Sequence, residues 1–175
     1  MDKLTIKRIK TLHPNVRNEA LKMYRIANNK LGKYVRLRFS WTYRFGFEQA
    51  KLYNQRPKVT NAKAGYSVHE YGLAFDIVLL YDKDRNGTFE TASWNTIFDG
   101  DNDNIADWLE VTKVFLSYGW KNGFLRNGRK WDKPHFQKTN GLKARDLKKI
   151  VDNGNVIKEV INNEEYIYPK LCKCD

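Results

Sequence analysis

The chain has 175 residues, 41% of them hydrophobic, with 5 Trp, 10 Tyr and 9 Phe, which is enough apolar surface for one packed domain and excludes a disordered chain. Its 32 Lys and Arg outweigh 20 Asp and Glu for a formal charge of +12, pointing to an anionic partner such as nucleic acid, an acidic membrane or a bacterial wall polymer. The basic residues are scattered rather than gathered into a nucleic-acid arm, and no run approaches the roughly 18 apolar residues that a membrane span needs.

The opening segment, Met1 to Arg8, lacks the apolar stretch of a secretory signal, so cytoplasmic synthesis is expected, with some other agent releasing the protein if its target lies outside. His13-Pro14 opens a helix: Pro suits the first turn, and Val16, Ala20, Tyr24, Ala27 and Leu31 recur at helical spacing before Gly32 stops it. His13, just outside that helix, is expected to cap or turn the chain. Val35, Leu37, Phe39, Trp41 and Tyr43 alternate with Arg36, Arg38, Ser40, Thr42 and Arg44, the pattern of a half-buried strand. Phe45 to Gln55 reads as a helix or long turn, followed by a polar loop over 58–65. Ala74 to Leu80 is an apolar run broken only by Asp76, as in a central strand. A loop insertion from Tyr81 to Thr91 follows, then an amphipathic helix from Ile105 to Tyr118 with Trp108, Val111, Phe115 and Leu116 inward. His135 to Gln137 is a short strand. A basic helix (Leu142 to Val151) and a hairpin (Val156 to Tyr168, turning at Asn162-Asn163) complete an α+β chain whose small, mostly antiparallel sheet is flanked by helices.

The chemistry concentrates in two segments, Ser67-Val68-His69-Glu70-Tyr71-Gly72-Leu73-Ala74-Phe75-Asp76 and Trp131-Asp132-Lys133-Pro134-His135-Phe136. They hold two of the three histidines. Asp76, planted among apolar residues, is costly as an anion unless a metal or a buried Arg compensates it, and both solutions are open. Two His and one carboxylate with a free fourth position is a common catalytic zinc set. Asp132, three residues before His135 and stiffened by Pro134, would then be free to move protons.

These segments resemble the VanY/VanX-like zinc peptidases, a family of D-alanyl-D-alanine carboxypeptidases and dipeptidases and of L-alanyl-D-glutamate endopeptidases used as phage endolysins. Ser67, His69, Gly72, Ala74 and Asp76 match its Ser-x-His-x-x-Gly-x-Ala-x-Asp signature. Asp132 and His135 look like its second motif, and Tyr43-Arg44 with Glu48-Gln49 resembles its Tyr-Arg…Gln segment. The resemblance implies a hedgehog/D-Ala-D-Ala-peptidase-like fold, Zn2+ held by His69, Asp76 and His135, Asp132 as catalytic acid and base, and Arg44 polarising the scissile carbonyl. Ser67 and Gln49 would bind substrate or orient the metal ligands. One departure is that many relatives carry Glu where this chain has Asp132, so the shorter side chain must sit closer.

The expected protein is therefore an endolysin-like peptidoglycan hydrolase cutting a stem-peptide amide, with the L-Ala-D-Glu bond preferred. A D-Ala-D-Ala carboxypeptidase and a non-catalytic wall-binding module are the alternatives. Bacterial peptidoglycan is the expected partner, with no nucleic acid, no membrane span and a monomeric state. Residues 1–140 would form the catalytic domain and 141–175 a helix–hairpin appendage packed on it. Three further features fall outside this scheme. Asp82-Lys83-Asp84-Arg85-Asn86-Gly87 begins like a calcium loop but has Ser93 where a bidentate Glu belongs; with the acidic Asp99, Asp101 and Asp103 it is either a solvated loop or a structural Ca2+ site between the two. Trp94, Trp120 and Trp131 are core residues by default, or walls of a cleft. Cys172 and Cys174 are too few and too terminal to build a metal knuckle.

Overall fold

The computed structural model describes residues 1–123 and 132–171, together with the backbone of 125–126 and 129–130; Trp131, Cys172 and Cys174 lie outside the described residues. A short helix α1 (Lys3–Ile9) leads. Its seven residues are too few to show a hydrophobic period, and it is held by contacts instead. The Asp2 carboxylate accepts from Thr5 N and Thr5 Oγ1 and pairs with Arg38 at 2.8 Å, pinning the N-terminus to the first strand. Helix α2 (Pro14–Lys30) carries Pro at its start and buries Val16, Ala20, Met23, Tyr24 and Ala27. His13 caps it as expected. Nδ1 accepts from Asn15 N at 3.1 Å and Nε2 donates to Pro169 O at 2.9 Å, so one imidazole ties the helix start to the end of the chain.

Strand β1 (Val35–Trp41) is followed by α3 (Gly46–Asn54), a 3-10 turn (Val68–Tyr71), β2 (Ala74–Tyr81), β3 (Thr91–Ser93) and α4 (Asp107–Ser117). Then come β4 (Lys121–Asn122), β5 (Leu125–Arg126), β6 (Arg129–Lys130), β7 (His135–Gln137), α5 (Ala144–Asp152) and the hairpin β8 (Val156–Ile161) and β9 (Glu164–Pro169). The main sheet runs β1-β2-β7-β4 with β3 also on β2, and its pairings are antiparallel. This is the expected α+β architecture.

Strand β2 is central and nearly all buried. Because side chains alternate across a strand, Phe75 and Asp76 point to opposite faces. Phe75 is the hub of the core: it stacks on Phe39 at 4.1 Å between centroids and meets Phe136, Phe115 and Trp120. Truncating such a ring typically costs about 3–5 kcal/mol. Asp76 faces the site.

Two expectations need correction. The alternation in β1 does not run unbroken to Arg44. Phe39 pairs with Ile77 but Trp41 with Asp76, so two residues of β1 answer one of β2, a bulge at Ser40. Before it Val35, Leu37 and Phe39 are buried; after it Thr42 and Arg44 are, while Trp41 and Tyr43 are half-buried. Leu116 is 46% exposed rather than inward, because the buried face of α4 is set by Trp108, Val111, Val114 and Phe115 and Leu116 lies one residue further round.

The C-terminal elements pack on the rest. Tyr168 Oη donates to Thr11 O at 3.1 Å, Tyr43 Oη donates to Ile167 O at 3.3 Å, and Arg17 pairs with Glu159 at 2.8 Å. The hairpin turns at Asn162 and Asn163, both with positive φ, as a two-residue turn requires.

Candidate active site

His69 sits on the 3-10 turn, which ends at Gly72 with φ +66°. A Cβ at Gly72 would lie 2.6 Å from His13 N and 2.9 Å from Tyr168 Cε1, so both conformation and space demand glycine. The Glu70 carboxylate, itself buried, accepts from Gly65 N and Ser67 N at 2.8 and 3.1 Å and fixes the loop entering the turn. Asp76 and His135 are direct cross-strand partners in the β2–β7 register. Sheet pairing alone therefore brings together residues 59 positions apart.

The three side chains converge. His69 Nε2 and His135 Nδ1 are 3.1 Å apart, and each faces Asp76 Oδ1, at 3.3 and 3.1 Å. Ligand atoms on a tetrahedral zinc, about 2.0–2.1 Å from the ion, lie roughly 3.3 Å from one another. The outer ring nitrogens are engaged elsewhere. His69 Nδ1 donates to Thr42 O at 2.7 Å, and His135 Nε2 donates to Gln137 Oε1 at 3.1 Å. Those bonds fix the tautomers so that both inner nitrogens present lone pairs towards a carboxylate oxygen. Three electron-rich atoms at this separation need a cation between them, and the donor set suits zinc. Burial alone would raise the Asp76 carboxyl, but the His69 and His135 imidazoles outweigh it and hold it well below the usual carboxylate range. A proton on the inner nitrogen of His135 can stand in for that cation: burial pulls the His135 imidazole down, yet the bond such a proton makes to Asp76, with the Asp76 charge and the Gln137 acceptor, outweighs it and the net shift is upward.

Arg44 lies beside this cluster. It is 9% exposed, on the inward side created by the bulge and not on a solvated strand face. Its Nη2 is 3.8 Å from Asp76 Oδ2, so a buried Arg compensates Asp76 beside the candidate metal cluster. Nη1 donates to Gln49 Oε1 at 2.8 Å, and Gln49 Nε2 donates to Ala62 O at 2.6 Å. Gln49 is wholly buried, and its amide links Arg44 to the Ala62 carbonyl. The guanidinium also rests over the Trp41 ring, 4.9 Å from its centroid, a cation–π contact.

A cleft of about 780 Å3 opens over these groups, lined by Arg44, Ser67, His69, Asp76, Asp132 and His135 among others. Asp132 is half-buried. Burial raises its carboxyl and outweighs the pull of the His135 imidazole, with the Asp76 charge adding to the upward shift. Its backbone is held from both sides. Asp132 O accepts from His135 N at 3.3 Å, and Gly123 (φ +58°) approaches so closely that a Cβ there would lie 2.8 Å from Asp132 O. Ser67 starts the 3-10 turn and lines the cleft wall.

Sequence reasoning missed Trp41, Thr42 and Gln137 in this site. Gln137 was within reach, since two residues on along a strand share a face. Of the tryptophans weighed as cleft walls, Trp120 is buried in the core with Nε1 donating to Glu19 at 2.9 Å, and Trp94 is 56% exposed and away from the cleft lining.

Residues 60–138, the segment that holds both chemical motifs, match the D-alanyl-D-alanine carboxypeptidase family. The chain is 34% identical over 117 residues to the peptidoglycan L-alanyl-D-glutamate endopeptidase CwlK of Bacillus subtilis (strain 168), covering 64% of this chain and 65% of that protein. The chain thus spans just under two thirds of that relative's length. The crystal structure of the Serratia marcescens L-Ala D-Glu endopeptidase ChiX superposes with a TM-score of 0.51 at 19% identity, covering 85% of this chain and 92% of the other; this likeness concerns the fold.

Proposed function

We propose that this protein is a zinc peptidoglycan hydrolase that cuts the L-Ala-D-Glu bond of the stem peptide. The observation that carries the reading is the His69–Asp76–His135 cluster, whose inner atoms are spaced for zinc and whose outer nitrogens are fixed for it. The likeness to CwlK supports the choice of bond. Zinc at His69, Asp76 and His135 would supply a Lewis acid and lower the pKa of a water at the open position. Asp132 would accept a proton from the attacking water and return it to the leaving amine, a task its raised pKa favours. Arg44, held by Gln49 and Trp41, donates to the oxyanion that develops on the scissile carbonyl. Ser67 on the cleft wall is placed to hydrogen-bond the peptide.

The net charge of +12 favours an anionic wall. A phage or prophage endolysin, made in the cytoplasm, acting on the wall after release and working as a monomer, belongs to the same proposal. A D-Ala-D-Ala carboxypeptidase is the second reading, favoured by the family that residues 60–138 match. Incubation of zinc-loaded protein with purified peptidoglycan, followed by mass spectrometry of the fragments, separates them. New D-Glu amino termini are expected. Released D-Ala would replace the proposal with the second reading, and intact peptidoglycan with zinc bound would leave a binding module.

A further inference from the structure

A second cluster of carboxylates lies at the start of α4, and none of its members lines the cleft. In the segment Asp99-Gly100-Asp101-Asn102-Asp103-Asn104-Ile105-Ala106-Asp107-Trp108-Leu109-Glu110, acidic residues stand first, third, fifth, ninth and twelfth, the ligand spacing of a helix-loop-helix calcium loop. Folding brings them together. Carboxylate oxygens of Asp99, Asp101 and Asp107 lie within 4.8 Å of one another, as do those of Asp101, Asp103 and Glu110, with Asp101 common to both sets. The backbone follows the same plan. Asn104, sixth in the segment, has φ +71°, the conformation for which such loops use glycine. Asp107 opens α4 and Glu110 lies in its first turn.

An independent observation points to a ligand. Asp107 is fully buried; its Oδ2 accepts from Tyr81 Oη at 2.7 Å and Gly100 N at 3.0 Å, but its Oδ1 has no partner among the described residues. Glu110 is 8% exposed and its Oε2 is likewise unpartnered. Buried carboxylate oxygens are rarely left so, and these belong to the two most buried members of the cluster. The loop singled out in the sequence behaves differently. Asp82 spends both oxygens on Asn86 N and Gly87 N, and Asp84 accepts from Asn86 Nδ2, so the loop satisfies itself. The two acidic loops do not pool their ligands in any of the carboxylate groups found.

We propose that residues 99–110 form a calcium site, with the Asp99, Asp101, Asp103 and Asp107 carboxylates, the Ile105 carbonyl and a bidentate Glu110 around the ion. An all-oxygen set of this number suits Ca2+ better than Mg2+, which keeps most of its water. The ion fastens α4 to the far end of the sheet. Tyr81 is the last residue of β2 and holds Asp107, and Gly100 packs so closely on Val35 and Tyr81 that a Cβ would lie 2.8 and 2.9 Å from them.

The test is calorimetric titration of the zinc-loaded chain with CaCl2 and with MgCl2, alongside thermal unfolding. One Ca2+ per chain is expected, with Tm raised by roughly 5–10 °C at a hundredfold excess over Kd and a much weaker response to Mg2+. Glu110→Gln and Asp101→Asn should each weaken Ca2+ by about tenfold or more while retaining zinc, and Asp82→Asn should bind as the wild type does. Position 101 is exposed, so that variant reports on the site even if the buried one misfolds. No heat and no Tm shift at millimolar Ca2+ would overturn the proposal, as would binding lost in Asp82→Asn and kept in Asp101→Asn.

Discussion

His69 and His135 face each other nitrogen to nitrogen at 3.1 Å while Thr42 and Gln137 occupy the far side of each ring. Such a pair is arranged before any ion arrives, so little reorganisation opposes metal binding.

Removal of the metal by chelation is therefore expected to abolish peptidoglycan cleavage and to lower Tm, with zinc restoring both. His135→Ala should lose zinc outright. Gln137→Ala, which removes only the acceptor for the outer nitrogen, should weaken zinc by about 10–100-fold. Equal zinc affinity in Gln137→Ala and wild type would show that the ring needs no such support.

Asp132 must be ionised to accept a proton. Because burial raises its pKa, kcat/KM should fall about tenfold per pH unit on an acid limb displaced upward from the ordinary Asp value. Asp132→Asn should lower kcat by about 10²–10⁴-fold with zinc retained, and its residual rate should lack that limb. Persistence of the limb in the variant would assign it to another group.

Gln49→Ala leaves the buried Arg44 Nη1 without its acceptor, at a cost of about 1–3 kcal/mol in stability. The expected signature is a fall in kcat with zinc content unchanged, and non-additivity with Arg44→Ala in a double-mutant cycle. A rise in KM alone would mean that Gln49 serves substrate after all.

Gly123→Ala forces an L-residue to φ +58° and drives its Cβ against Asp132 O. A stability loss of about 1 kcal/mol or more is expected, together with a drop in kcat measurable on the folded protein, since the strained contact is the one that positions the base. Full activity would show that the 132 segment adjusts freely.

The metal cluster was legible because its residue types are scarce and their settings odd: two of three histidines, and a carboxylate inside an apolar strand. Helix α2 was legible from spacing, whereas α1 is too short to carry a period and depends on Asp2, Thr5 and Arg38 meeting across the chain. The bulge in β1 left no trace in the alternation, because Trp41 and Tyr43 are amphipathic enough to sit half-buried where a core residue was expected. Gln49 reads in the sequence as a group for substrate or for orienting the metal ligands, and its bond to Arg44 is not to be seen there, because spacing alone does not say which polar side chains meet. The 99–110 loop was hidden in another way: its last two acidic positions fall inside a segment that reads as helix, while Asn-Gly at 86–87 drew attention to the neighbouring loop.

The single extra residue at Ser40 works as a phase shifter. Upstream of it odd-numbered side chains are sealed into the aromatic core; downstream the side chains of Thr42 and Arg44 turn inward, Arg44 to flank Asp76, while the Thr42 carbonyl accepts from His69. One strand thus serves two clients whose demands are out of step by one position, and folding and catalysis can be uncoupled there. A chain lacking Ser40 would pair Phe39 with Ile77 and Trp41 with Asp76 as before, now in an unbroken ladder, whereas ironing the bulge out by sliding Ser40 opposite Asp76 would turn Thr42 and Arg44 away from His69 and Asp76.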